Sequence, residues 1–184
     1  VRSRGLGDVY KRQFLVCLVL AFVHLTFFWL ALAIIFVAFI LIRWQEKRWN
    51  PWLPAAGLGG IIAGWLLRPD PIGAAKIIYV QVFQLLSEKN AGLAFGRELY
   101  PLDPAVFFER YGFFCLAWLA AIVWAMPKLI GRGSKPNLSA RKRMLLWGGL
   151  VLSVVFFVMA FLVSTRAVDQ WGVFSIVLIG GVMS

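Results

Sequence analysis

The stretch FLVCLVLAFVHLTFFWLALAIIFVAFILI, Phe14–Ile42, decides the class of this chain. It contains no proline, no glycine and no formal charge. His24 and Thr26 are its only strongly polar side chains. It is longer than the ~20 apolar residues that cross a bilayer as a helix. It therefore predicts a first helix that crosses with a tilt or protrudes, and it is too long for the apolar segment of an ordinary signal peptide. Further apolar runs follow at 52–67, 105–126, 145–165 and 171–184. The composition agrees: 61% of the 184 residues are hydrophobic, where a soluble domain carries about half. The expected fold class is an all-α polytopic membrane protein with about four to five transmembrane helices.

The charge pattern gives the expected orientation. A net charge of +11 in a soluble chain would point to nucleic acid. Here the charge sits in short segments beside apolar runs, the pattern of positively charged cytoplasmic loops. Arg43, Lys47 and Arg48 face only Glu46 in sequence. Lys128, Arg132, Lys135, Arg141, Lys142 and Arg143 have no acid among them. Residues 43–50 and 128–143 are thus expected in the cytoplasm, and 68–104 outside it. The expected partner is the lipid bilayer, with no nucleic acid.

The head of the chain, SRGLGDVYKRQ from Ser3 to Gln13, resembles a translated sequencing-library adaptor. Residues 1–13 then carry no functional argument and are expected to make no structured contacts. Residues 14–184 are expected to form a single, incomplete integral-membrane domain whose last run, 171–184, is cut short.

The second run carries Gly57, Gly59, Gly60 and Gly64, small residues that let another helix approach closely. The sequence RPDPIG, with prolines on both sides of Asp70, ends it. KIIYVQVFQLL is rich in β-branched and aromatic residues. It reads as a strand or an interfacial segment, within a small extracytoplasmic strand and loop element around 77–97. YPLDPAVFF opens the next helix, with Asp103 as N-cap and Pro104 in the first turn.

Candidate chemistry is sparse. Cys17 and Cys115 lie in apolar runs and read as small hydrophobes. His24, inside the first run, is a functional candidate by position, but no second histidine or nearby carboxylate accompanies it, which favours packing. Asp8 lies in the head, Asp70 lies between prolines, Asp103 caps a helix, and Asp169 reads as an interfacial loop residue. No metal-ligand, nucleotide-binding or Ser/His/Asp pattern is present, so no cofactor or metal is expected.

The unusual element is SEKNAGLAFGREL, Ser87–Leu99. Its glycines permit close backbone approach. Its alanines leave room for an extended peptide, and the Asn90 amide can both donate to and accept from a peptide backbone. FQLLSEKNAGLAFG, Phe83–Gly96, resembles the outer-face motif of the lipoprotein signal peptidase (signal peptidase II) family. There an aromatic-containing strand leads into Asn-x-Gly-x-Ala-Phe-Gly. Asn90, Gly92, Ala94, Phe95 and Gly96 match it in place. IVLIGGVMS, Ile176–Ser184, looks like the start of the family's second motif, a span ending in Gly-Gly and then Asn-x-x-Asp-Arg.

The resemblance implies a bacterial inner-membrane aspartic endopeptidase that cuts the signal peptides of lipid-modified prolipoproteins. It makes Asn90, Gly92, Ala94, Phe95 and Gly96 substrate-binding residues. It places the catalytic aspartates beyond Ser184, so residues 1–184 are expected to be inactive alone. The family has one returning span between its motifs, whereas this chain has two apolar runs there. The alternative is a non-enzymatic polytopic membrane protein, such as a transporter part or an assembly factor.

Overall fold

The computed structural model describes residues 2–24, 28–47, 49–80, 100–130 and 138–183. Among the described residues every regular element is helical. The chain divides into two compact units, Val1–Ala94 and Phe95–Ser184. Among the described residues three helices are long and apolar enough to cross a membrane by length and composition. Two more are apolar but shorter. The chain is thus a helical protein of membrane type.

The first unit holds α1 (Arg2–Val23), α2 (Phe28–Glu46), α3 (Trp52–Leu66) and α4 (Pro71–Tyr79). The long apolar run is therefore not one helix. It is split between α1 and α2, and His24 lies exposed just past the end of α1 rather than inside a span. The physical reason comes from far along the sequence. The Arg68 guanidinium donates to the Phe22 carbonyl through Nε (3.0 Å) and Nη2 (2.8 Å). Its Nη2 also reaches the Val23 carbonyl at 3.4 Å. These are terminal carbonyls that a helix leaves without internal partners, and a cation there also suits the helix dipole.

The glycines of α3 set the packing of this unit. Gly57, Gly60 and Gly64 are its buried residues. A Cβ on Gly60 would lie 2.3 Å from the Phe14 carbonyl oxygen, and one on Gly64 would lie 2.2 Å from that of Leu18. The backbone of α1 therefore rests directly on α3, with Cys17 and Ala21 buried on its side of the seam. The contacts advance together along both helices, so α1 and α3 run parallel. Gly57 also meets Ile35 of α2, while Phe39 and Pro54 line one groove and Phe28 and Trp65 another, so α2 runs the opposite way.

Residues of the adaptor-like head take part. Gln13 Nε2 donates to the Leu53 carbonyl at 3.0 Å, and Asn50 Nδ2 donates to the Tyr10 hydroxyl. The expectation that residues 3–13 make no structured contacts does not hold, because the helix begun by Phe14–Val23 extends back through them.

The second unit holds α5 (Pro104–Ile130), α6 (Ala140–Leu162) and α7 (Ala167–Met183). Its core is aromatic. Phe107 is fully buried and Trp171 nearly so. Their rings meet at 5.3 Å between centroids, and Trp171 also meets Phe114 and Trp118 edge-on. Trp118 Nε1 donates to Ser153 Oγ at 3.0 Å, and that hydroxyl donates to the Leu150 carbonyl. Phe156 stacks on Phe174 with their planes 8° apart. Gly149 lies against Leu178, and Gly181 against Leu145 and Leu146, so α6 and α7 form an antiparallel pair.

Candidate functional site

Asn90, Gly92, Ala94, Phe95 and Gly96 lie outside the described residues, as does the stretch 81–97 of the expected strand and loop element. The two flanks of that loop are described, each within its own unit.

The leading flank is α4. Asp70 takes the N-cap position and accepts from the Gly73 amide at 2.8 Å, with Pro71 in the first turn. Trp65 Nε1 donates to the Pro71 carbonyl at 2.9 Å, which ties α4 to the end of α3. Ala74 is buried, while Ile72, Ile77 and Tyr79 are exposed. The sequence reads as a strand or an interfacial segment here; Ile77–Tyr79 close a helix, not a strand. Once a capped turn has formed, each further residue adds a hydrogen bond at little cost, and that overrides the preference of Ile77, Ile78 and Tyr79 for extended backbone.

The trailing flank is the segment 100–103. The Leu102 amide donates to the Ala160 carbonyl near the end of α6, and the Thr165 amide and hydroxyl both donate to the Tyr100 carbonyl, all at 2.9 Å. The entry to α5 is thus fastened to the turn between α6 and α7. Asp103 Oδ1 accepts from the Ala105 amide at 2.8 Å and caps α5, as its position before Pro104 implies.

These contacts determine what the aspartates can do. Asp70 and Asp103 are exposed and committed to helix starts; Asp169 is exposed in the first turn of α7. Acid–base work needs a carboxylate whose surroundings hold it near the operating pH, usually by burial or a like-charged neighbour. None of the three is buried. Among the described residues no group of three His, Cys, Asp or Glu side chains could hold a metal ion. Cys17 and Cys115 are free and buried in helix packing.

No family model, curated protein or solved structure matches the chain.

The last motif of the sequence can be placed. α7 starts beside Tyr100, and its Gly181 ends against Leu145 and Leu146. Gly180 and Gly181 therefore lie at the end of the second unit away from the segment that leads out of the Asn90–Gly96 loop. Two features had no local signal in the sequence. Arg68 acts on carbonyls of a helix far upstream. Trp171 Nε1 and Ser175 Oγ are buried one turn apart on α7 with no hydrogen-bond partner among the described residues.

Proposed function

We propose that this chain is the motif-bearing part of a lipoprotein signal peptidase-like membrane aspartic endopeptidase. In this reading Asn90, Gly92, Ala94, Phe95 and Gly96 cradle the signal peptide of a lipid-modified prolipoprotein at the outer face of the bacterial inner membrane. The observation that carries it is the in-place match of those five residues, followed by a capped helix long enough to cross the bilayer. The cradle chemistry follows: an amide for the substrate backbone, and glycines and alanines that admit an extended chain.

The proposed orientation puts residues 43–50 and 128–143 in the cytoplasm and 68–104 outside, with α3 and α7 counted as spans beside α2, α5 and α6. The basic segments support it. The pairing of Tyr100 with Thr165 keeps those two segments on one side, as this span count requires. The cleavage itself requires two carboxylates that share a proton. Asp70, Asp103 and Asp169 are exposed, and the first two are committed to helix caps, so this reading assigns the catalytic pair to none of them.

A specific observation favours the second reading, a non-enzymatic polytopic membrane protein. With α7 parallel to α5, aspartates that followed Gly180–Gly181 would emerge on the cytoplasmic side of this topology, away from the cradle. Prolipoprotein processing in cells separates the readings. With the gene extended from source DNA, the peptidase reading expects cleavage, and Asn90→Ala should reduce it while membrane insertion persists. Absence of cleavage by the extended protein, or of any aspartate pair in the extension, leaves the second reading.

A further inference from the structure

The end of the first unit where α2 finishes gathers cations and tryptophans around an apolar trench. Arg43, Trp44 and Lys47 line an open cleft together with Phe39 and Ile40. The Arg43 guanidinium lies 5.9 Å from the centroid of the Trp49 ring. That ring meets Phe39 edge-on at 5.6 Å. Phe39 then passes the surface on to a second groove of about 510 Å³ between α2 and α3, lined by Leu32, Ile35, Phe36, Phe39, Pro54 and Leu58. The lining of that groove is almost wholly apolar, whereas its mouth carries two basic side chains.

The backbone adds a second observation. Lys47 follows α2 in the left-handed region, with φ at 51°. That position after a helix is where glycine is the unstrained choice. A long cationic side chain stands there instead, one helical turn beyond Arg43. Trp44 and Trp49 are both strongly exposed around this mouth, as suits indole rings that sit at the level of lipid headgroups.

We propose that this cleft is a seat for one anionic phospholipid of the surrounding bilayer. Arg43 and Lys47 hold its phosphate, the tryptophans flank the glycerol region, and one acyl chain follows Phe39 into the groove between α2 and α3. Charge complementarity fixes the occupant. The planar guanidinium matches phosphate oxygens in a way a point charge does not. The acyl chain gains only dispersion contact, because neighbouring lipid tails are equally apolar. Selectivity for the lipid therefore resides in the headgroup. This seat does not depend on the peptidase reading.

The test is native mass spectrometry of the purified full chain, titrated separately with phosphatidylglycerol, phosphatidylcholine and inorganic phosphate. The first phosphatidylglycerol should bind more tightly than phosphatidylcholine, and inorganic phosphate should not displace it. Each basic side chain near an anionic headgroup is worth about fivefold, so the double variant Arg43→Gln/Lys47→Gln should lose roughly thirtyfold in that first step. Arg43→Lys, which keeps the charge but loses the planar fork, should fall between the unaltered chain and the double variant. Lys128→Gln, which alters a cation over Trp124 in the other unit, should change nothing. The proposal is overturned by any of three results: equal affinity for the two lipids, an unchanged first affinity in the double variant, or an equal loss in Lys128→Gln.

Discussion

The two units meet the same difficulty by opposite means. In a bilayer the lipid tails are as apolar as leucine, so helices do not associate to escape water; they associate through close packing and hydrogen bonds. The first unit removes side chains. Gly60 and Gly64 bring the α3 backbone onto the carbonyls of Phe14 and Leu18, with no room for even one methyl group. The second unit adds side chains. Phe107, Trp118, Phe157 and Trp171 fill the space between three helices with interlocking rings. The glycine seam is intolerant of added volume, and the aromatic cluster is intolerant of lost volume. A substitution's sign of volume change should therefore predict its damage at these two contacts, the α1–α3 seam and the ring cluster around Trp171.

The largest effect is expected from deleting a central ring. Phe107→Ala removes a fully buried side chain that touches Trp171, Phe157 and Phe161. It should destabilise the second unit by about 3 kcal/mol, the lower end for such a deletion, because the cavity remains while the transfer contribution shrinks in lipid. Reversible unfolding in mixed micelles, followed by helix content, measures this. The next largest falls on the other unit. Gly64→Ala places a methyl group against the Leu18 carbonyl and Ala21 and should cost about 2 kcal/mol through forced backbone separation. Gly59→Ala sharpens the contrast. Its Cβ would make only ordinary contact with the Phe14 ring, at 3.5 Å. It should be neutral within about 0.5 kcal/mol or slightly stabilising, since alanine is the better helix former. Equal losses at Gly59 and Gly64 would remove the seam as the organising contact.

The same contrast explains which features were legible in the sequence. The glycine pattern of 52–67 announced a close helix contact, and Gly57, Gly60 and Gly64 make it. Asp103 before Pro104 announced a cap, and Asp103 Oδ1 accepts from Ala105. These signals are local, so a sequence carries them openly. The split of 14–42 is not local. No proline or glycine marks it, and the Arg68 guanidinium that holds the end of α1 comes from beyond α3. Lys76–Tyr79 reads as a strand or an interfacial segment from its side chains alone, but the Asp70 cap that starts α4 as a helix lies outside that window. Of the candidate site, the sequence supplied Asn90–Gly96 as a motif. The structure adds its flanks: α4 on one side, and on the other a segment bound to Ala160 and Thr165.

The central claim is that Asn90–Gly96 receives a lipid-modified signal peptide at the outer face. The most direct measurement places a photoreactive amino acid at Phe95 in the full chain, in cells that make a tagged prolipoprotein. This needs no catalytic activity from the chain. The account predicts a crosslink to the diacylglyceryl-modified prolipoprotein, a much weaker one when lipid modification is blocked, and loss of the crosslink on Asn90→Ala. Absence of the crosslink while the chain is membrane-inserted, or an equal crosslink to unmodified prolipoprotein, would contradict it.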